Sequence, residues 1–266
     1  MSDNQPGSVP ASGSSTPSAV LPDAMPSFGV VGVLKTSFSV YSSRFIIITF
    51  VVLIANSLTY LAEYFNPDQS LAGGGVASFS AFLISIIASF VAFSLSTAFV
   101  VQISFDAKMG RRTSSGVVLK KVFAQFLPLI LMSVVASIVI SVGFLALILP
   151  GLYLLGMLAV YVPAIVVERK GYGAFKRSAE LTKGYRWPVI GAIVILYLMV
   201  VIVAAMVVGL ITGLVDVVGI VPIFILAALI EAVPTAILAV ATAMMYARLL
   251  EIKEGVAVDD IAKVFA

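Results

Sequence analysis

The sequence predicts an all-α membrane protein, a polytopic bundle of six transmembrane helices with short amphipathic helices at the membrane interface. Two observations predict this fold class. First, 61% of the residues are hydrophobic and only 11% are charged, whereas about a quarter of a soluble domain is charged. Second, six segments are apolar over roughly the 20 residues needed to cross the ~30 Å hydrocarbon core, and no Lys or Arg lies inside them.

The six predicted spans follow one another with short connections. Spans 3 and 4 meet at Pro150-Gly151, and spans 5 and 6 meet near Asp216. Residues 1–26 are rich in proline and serine and contain no Lys or Arg, so we expect a disordered tail. The membrane domain then covers 27–255, and 256–266 forms a second short tail. The spans are 45–64, 77–104, 127–148, 152–167, 188–213 and 220–247.

The basic residues predict the orientation of the chain. All 16 Lys and Arg lie before span 1, between spans 2 and 3, between spans 4 and 5, or after span 6. The other connections hold none and carry acidic residues such as Asp68 and Asp216. Because cytoplasmic connections are enriched in Lys and Arg, we expect both tails in the cytoplasm and the bundle in the plasma (inner) membrane.

Short amphipathic segments precede spans 1, 3 and 5, and each contains an apolar-lysine motif, at 32–35, 117–120 and 173–176. In the second of them, apolar residues fall on one helical face opposite Lys120 and Lys121. Helices of this kind lie in the interface plane. One interpretation is an interfacial helix plus a transmembrane hairpin, repeated three times. The alternative is that any loop entering a membrane looks amphipathic.

Glu231 is the ionisable residue that lies deep inside a predicted span. A charge at the bilayer centre costs on the order of 3 kcal/mol or more, so we expect this side chain to face the bundle or water. It could belong to a cation or proton path, or it could be a neutral carboxyl that bonds to Asn56 or to carbonyls freed by Pro234. Rows of serines in spans 2 and 3 allow a similar choice, and close helix packing is favoured over a polar path.

The residue types exclude several kinds of chemistry. The chain has no cysteine and no histidine, which removes disulfides, thiolate chemistry, the commonest general base and the commonest metal ligand. Neither a phosphate-binding glycine loop nor a nucleophile elbow is present in the sequence. We therefore expect a protein that is not an enzyme, with no catalytic residue, metal site or cofactor. Nucleic acid is also excluded as a partner, because the basic residues flank apolar runs.

The stretch 149–191 carries a recognisable series of motifs. They are Pro150-Gly151, Pro163 followed by Glu168, Lys176-Arg177-Ser178, Leu181-Thr182-Lys183-Gly184, and Trp187. This series resembles the hallmark stretch of the glycerophosphoryl diester phosphodiesterase membrane-domain family, and 246–255 resembles that family's ending. The resemblance implies a bacterial membrane module of several helices. Because the chain contains no histidine, no catalytic residue of the family's soluble phosphodiesterase domain carries over.

The basic connections indicate contacts with lipid. Between Glu168 and Trp187 there are six basic and two acidic residues, and each interfacial Lys or Arg attracts anionic headgroups by about 1 kcal/mol. Ordinary membrane topology also requires such charges, without any specific lipid site. The candidate headgroup ligands are Lys120, Lys121, Lys176, Arg177, Lys183 and Arg186, with Trp187 as an interfacial anchor.

The sequence therefore predicts a non-catalytic integral membrane protein that interacts with lipids, anionic lipids in particular, or organises membrane partners. The alternative is a small transporter or channel that uses Glu231 and the serine-lined helices. The partner predicted from sequence is the lipid bilayer, and the sequence does not identify which proteins would be partners.

Overall fold

The computed structural model describes residues 27–65, 76–110, 114–212 and 220–255. Within these ranges it describes the backbone alone at 58–65, 76–89, 115, 207–208, 210–212 and 220–228. The predicted tails, 1–26 and 256–266, lie outside the described residues, as do the connections 66–75 and 213–219.

The described ranges fold into α-helices and one short 3₁₀ helix and contain no strand. The all-α fold class is therefore confirmed. The helices are α1 (Val30–Ser43), α2 (Phe45–Phe65), α3 (Val76–Lys108), α4 (Ser115–Ala124), α5 (Phe126–Ala146), α6 (Ile148–Leu158), α7 (Tyr161–Val166), the 3₁₀ helix (Gly171–Gly173), α8 (Ala174–Thr182), α9 (Arg186–Thr212) and α10 (Ile220–Glu254).

The described helices are long and apolar enough to cross a membrane five times, or six times if α1 and the start of α2 count as one bent span. The most hydropathic segment is Arg186–Met206 in α9, with a mean hydropathy of 3.0, yet only 22% of it is buried in the protein. So large an exposed apolar surface requires lipid rather than water around it. The apolar helices thus indicate a multi-pass membrane protein.

Short helices stand where the repeat hypothesis expects them, with α1 before α2, α4 before α5 and α8 before α9. The axes of α1 and α2 differ by 87°. In α4, Val118 and Val122 pack inward, while Leu119 and Phe123 are about half exposed at 48% and 55%. An amphipathic helix at a steep angle to the following span is the arrangement expected of an interfacial element.

The break between spans 3 and 4 corrects the sequence prediction. It lies at Leu147 and not at Pro150-Gly151. Pro150 occupies the first turn of α6, where its missing N–H would have had no partner in the helix. A Cβ on Gly151 would lie 2.5 Å from Cγ of Phe144, and one on Gly143 would lie 3.1 Å from the Gly151 Cα. Glycine at these positions therefore allows α5 and α6 to pack closely.

Helix α10 runs through the centre of the bundle and contacts α1, α2, α3, α8 and α9. It buries small side chains at helical spacing, which allows neighbouring backbones to approach: Ala232, Ala236, Ala239, Ala243 and Ala247. With 33 and 35 residues, α3 and α10 are each about 50 Å long. Each is thus longer than the ~30 Å hydrocarbon core, so at least one end of each reaches the polar region.

Candidate functional site at the basic end of the bundle

The connections that carry the basic residues lie together at one end of the bundle. The Arg248 guanidinium donates to the Ser27 carbonyl oxygen at 2.9 Å, which joins the end of α10 to the residues before α1. Arg248 and Lys108 line one small pocket together with the start of α1. The Lys253 ammonium lies 5.4 Å from the centre of the Tyr185 ring, just before α9. We call this end of the bundle the basic end. It comprises the residues before α1, the ends of α3, α7 and α10, and the short helices α4 and α8.

An ion-pair network lies at the basic end between α7, α8 and α10. The Arg177 guanidinium donates to both carboxylate oxygens of Glu168, at 2.7 and 2.8 Å, and its Nη2 also donates to Glu254 at 2.5 Å. The Tyr246 hydroxyl, on a fully buried side chain, donates to the same Glu168. Paired hydrogen bonds between a guanidinium and a carboxylate are among the strongest in proteins. The network therefore fixes three segments relative to one another.

The two carboxylates stabilise the charged form of Arg177. Burial disfavours the charged guanidinium, but hydrogen bonds and charge attraction from Glu168 and Glu254 outweigh it and hold the pKa of Arg177 above its usual range. Arg177 is thus held in an ion-pair network within the protein, and its role as a headgroup ligand stays a prediction. The sequence shows a basic residue in a basic segment, whereas one of its partners, Glu254, lies 77 positions further along the chain.

Ser178 of α8 forms hydrogen bonds with the backbone around the break between α6 and α7. Its hydroxyl donates to the Met157 carbonyl at 2.8 Å and accepts from the Val160 N–H at 3.3 Å. The Thr182 hydroxyl also approaches the Met157 carbonyl, at 3.4 Å. Helix ends leave such backbone groups unpaired, and these hydroxyls supply partners for them. Ser178 and Thr182 are both fully buried.

Beside the network lies a cleft of about 570 Å³, a volume within the range of small-molecule pockets. We call it the α3–α7 cleft. Glu168 takes part in both features, because it bonds Arg177 and also lines this space. The lining residues are Gln102, Phe105, Asp106 and Met109 from α3, Lys121 from α4, and Val166, Val167, Glu168, Arg169 and Lys170 at the end of α7.

Two features of the cleft are unusual for a protein interior. Asp106 is only 4% exposed; its Oδ1 accepts from Gln102 Nε2 at 3.0 Å, while Oδ2 is buried without a hydrogen-bond partner among the described residues. Arg169 has φ of +55°, a left-handed conformation that costs a residue with a Cβ roughly 1–2 kcal/mol. The reversal allows the Lys170 N–H to reach back to the Ala164 carbonyl at 3.3 Å.

The other predicted headgroup ligands fall into two groups. Lys121 is half-buried and lines the α3–α7 cleft, and the Arg186 guanidinium lies 4.6 Å from the centre of the Tyr153 ring. The remaining residues are exposed at the basic end; they are Lys120, Lys176, Lys183 and Trp187, the last of them 63% exposed.

The structure does not place Glu231 in the bundle interior. Its side chain is exposed on α10, whereas the predicted hydrogen bond inside the bundle needs a buried position. The Asn56 side chain is half-buried, and its Nδ2 has no hydrogen-bond partner among the described residues, so it does not donate to Glu231. The physical reason is that α10 is apolar on every side, and a sequence of that kind does not reveal which face packs inward.

Two serines of span 3 form hydrogen bonds with other groups of the protein. The Tyr161 hydroxyl donates across the helices to the Ser133 hydroxyl at 3.1 Å, and the Ser137 hydroxyl bonds within its own helix to the Val134 carbonyl at 2.8 Å. The Ser133 bond joins α5 to α7, as hydroxyls commonly do between membrane helices. Within the part of the chain described with side chains, the α3–α7 cleft contains none of these serines.

Of the residues that line the cleft, Lys121 was predicted from the sequence and the others were not, above all Asp106 and Arg169. A signal for Asp106 was present, since it is an acidic residue at the very end of an apolar span, four residues after Gln102. A carboxylate and an amide at this spacing lie on one helix face. No comparable signal existed for Arg169, because a left-handed backbone at a residue other than glycine is not visible in a sequence.

Comparison with models of known protein families, with curated proteins and with solved structures found no match to this chain. The likeness of 149–191 and 246–255 to the phosphodiesterase membrane-domain family therefore stays a prediction. Residues from the two stretches meet in space, since Glu168 and Arg177 bond to Tyr246 and Glu254.

Proposed function

We propose that the protein is a non-catalytic protein of the plasma (inner) membrane whose basic end lies at the cytoplasmic surface and binds phosphate-bearing lipid headgroups. The observation that carries this proposal is the division of the basic residues there. Arg177 is neutralised by two carboxylates, whereas the exposed Lys120, Lys176 and Lys183 make none of the ion pairs found among the described residues.

The exposed lysines lie next to exposed apolar side chains. In α4, Lys120 lies between Leu119, 48% exposed, and the half-exposed Phe123 further along. The exposed Lys183 lies four residues before Trp187, which is exposed at the start of α9. Lysine stems that cover apolar surface while their ammonium groups reach the headgroups are typical of helices at the membrane interface. Each such charge is worth about 1 kcal/mol of attraction to an anionic surface.

The alternative, a small transporter or channel, stays a prediction. It needs Glu231 on a path through the bundle, and this side chain is exposed on α10. The α3–α7 cleft lies at the charged end of the bundle and is lined by residues of α3, α4 and the end of α7. A site at one end of a bundle fits recognition of a headgroup better than passage through the membrane.

Replacing Lys120, Lys176 and Lys183 together by glutamine is expected to reduce co-purifying phosphatidylglycerol by roughly tenfold or more, because about 1 kcal/mol is lost per lysine before screening by salt. Lipid bound to the purified protein is measured by mass spectrometry after extraction into detergent. The matched control is Glu180→Gln on the exposed face of α8, which removes a negative charge and should raise the retained anionic lipid. If the triple variant retains as much phosphatidylglycerol as the unmodified protein, the proposal is wrong.

A further inference from the structure

The turn that joins α5 to α6 is apolar and exposed. The sequence contains no charged residue between Lys121 and Glu168, and the turn itself, 144–149, reads Phe-Leu-Ala-Leu-Ile-Leu. Leu145 and the three residues 147–149 are 66–86% exposed. A contiguous apolar surface of this kind is stable in hydrocarbon and unfavourable in water. A turn that emerged into water on the far side of the membrane would expose all of it.

The packing of α6 against α9 limits how far this turn reaches into the bilayer. A Cβ on Gly156 of α6 would lie 3.3 Å from the Arg186 carbonyl oxygen and 2.6 Å from Cγ1 of Ile190, so Gly156 lies beside the first turn of α9. Between Gly156 and Ile148, where α6 begins, a helix rises only about 12 Å. Whatever the tilt of α6, its start is therefore no more than roughly 12 Å deeper than the first turn of α9.

The first turn of α9 marks the membrane surface at the basic end. Arg186 is charged and the exposed Lys183 lies just before it, whereas 187–212 contains no charged residue. Trp187 is exposed, as expected of an interfacial anchor. The 27 residues of α9 rise about 40 Å, enough to cross the ~30 Å hydrocarbon core. The α5–α6 turn, in contrast, ends near the middle of the bilayer.

The other end of α6 is fixed at the basic end as well. Ser178 of the amphipathic helix α8 bonds to the backbone on both sides of the break between α6 and α7. From this break to the turn, α6 has 11 residues, about 16 Å. Ser133 of α5 bonds to Tyr161, just beyond the same break, so the part of α5 that runs beside α6 is about 20 Å long. Both lengths fall well short of the hydrocarbon thickness.

Burial along α9 shows where its packing against neighbouring helices stops. Val189, Ile190 and Leu196 are buried, whereas every side chain in 197–206 is exposed or half-buried. Leu196 lies about 15 Å along the helix from Arg186. The packed part of α9 therefore ends at about the depth that the α5–α6 turn reaches, and the apolar surface beyond it requires lipid.

The backbone of the turn suits an apolar solvent. Leu147 is the one residue between α5 and α6; its N–H donates to the Gly143 carbonyl at 3.1 Å, and its own carbonyl accepts from the Gly151 N–H at 3.2 Å. Pro150 has no N–H that would need a partner. Because unpaired backbone groups are costly in hydrocarbon, so short a turn is better suited to lipid than a longer loop.

We propose that α5 and α6 form a re-entrant hairpin that enters the bilayer from the basic end, and that its tip, 144–149, contacts lipid acyl chains near the middle of the membrane. Lipid fills the space between the tip and the opposite surface, beside the second half of α9. The six spans then comprise four crossings and one re-entrant pair, spans 3 and 4. Both ends of the hairpin stay at the basic end, so the sides of the basic connections are unchanged. The inference rests on the membrane-surface position of the basic end in the proposed function.

The depth of the tip tests the proposal. The chain contains no cysteine, so a nitroxide can be attached to Ile148→Cys, Val194→Cys or Met206→Cys in the full chain, reconstituted in vesicles of phosphatidylethanolamine and phosphatidylglycerol. All three positions are exposed, and the two on α9 lie about 12 and 30 Å along the helix from Arg186. Power-saturation EPR compares collisions with oxygen, which concentrates in hydrocarbon, and with a water-soluble nickel chelate.

The two positions on α9 serve as depth standards for the tip. The ratio of oxygen to chelate collisions at Ile148→Cys should match that at Val194→Cys and be several-fold higher than at Met206→Cys, which lies near the far surface. A ratio at Ile148→Cys no higher than at Met206→Cys would put the tip at a membrane surface and overturn the proposal.

A charge at the tip gives a second readout. In a hairpin that crossed the membrane, Leu147→Asp would put a carboxylate in water at the far surface, where it is tolerated. In the re-entrant hairpin the carboxylate lies in hydrocarbon, so the amount of folded protein recovered from membranes should fall several-fold. The matched control is Ser114→Asp, exposed at the basic end before α4, which should be recovered like the unmodified protein. Equal recovery of the two variants would contradict the hairpin.

Failure of the hairpin and failure of the proposed function are distinguishable. Retention of phosphatidylglycerol by the exposed lysines does not depend on the depth of the tip. If the tip lies at a surface while the Lys120, Lys176 and Lys183 variant still loses phosphatidylglycerol, the hairpin is wrong and the proposed function stands. If the tip is deep and the triple variant retains this lipid, the hairpin stands and the proposed function is wrong.

Discussion

Replacing Arg177 by glutamine is expected to destabilise the folded protein by about 3 kcal/mol. The change leaves Glu168 and Glu254 close together without the cation that both contact at 2.5–2.7 Å. It also leaves Tyr246 as the partner of a carboxylate that has lost its charge compensation. Thermal unfolding of the purified protein in detergent, followed by intrinsic fluorescence, measures the loss.

The neighbouring residue provides the control for Arg177. Lys176→Gln removes the same charge from the same helix at an exposed position and should change stability by no more than about 0.5 kcal/mol. The double change Arg177→Gln with Glu168→Gln should be less harmful than the sum of the two single changes, because residues of one network are not additive. An Arg177→Gln protein as stable as the Lys176→Gln control would show that the network contributes nothing to the fold.

Replacing Ser178 by alanine is expected to cost about 2 kcal/mol, because it leaves buried backbone groups without partners. The lost hydroxyl bonds the Met157 carbonyl and the Val160 N–H, and the more distant hydroxyl of Thr182, at 3.4 Å, reaches only the carbonyl. The unfolding temperature should fall, and hydrogen exchange at the Val160 amide should become faster than in the unmodified protein.

Ser137→Ala is the matched control for Ser178. It removes the same atom from a half-buried serine whose hydroxyl bonds only to Val134 in its own helix. Such a local bond leaves no group on another segment unpaired, so stability should change by about 0.5 kcal/mol or less. If the two alanine variants unfold at the same temperature, Ser178 does not join α8 to the break between α6 and α7.

Much of the fold could be predicted from the sequence because the bilayer limits what an apolar chain can do. The length of each apolar run reflects the hydrocarbon thickness, and charged residues mark its ends. Span 3 was expected at 127–148 and α5 covers Phe126–Ala146; span 1 was expected at 45–64 and α2 covers Phe45–Phe65. The short helices before spans 1, 3 and 5 could also be predicted, because their charged and apolar residues alternate with a helical period.

The candidate site was much less predictable because it depends on contacts between distant parts of the chain. Arg177 bonds Glu254, which lies 77 residues further along the chain, and no local sequence pattern predicts that pair. Glu231 attracted attention as an isolated charge, yet an apolar helix does not indicate which face is enclosed. Asp106 and Arg169 became candidates only when burial, an unpaired oxygen and a left-handed backbone were visible.

The central claim is that the basic end is the cytoplasmic face of a membrane protein with six spans, and thiol labelling tests it most directly. The chain contains no cysteine, so single substitutions can be read without background. Ser114→Cys lies at the basic end before α4, and Ser70→Cys lies in the connection between α2 and α3. A membrane-impermeant maleimide should label Ser70→Cys in intact cells and Ser114→Cys only in inside-out vesicles. Labelling of both positions from the same side would contradict the account.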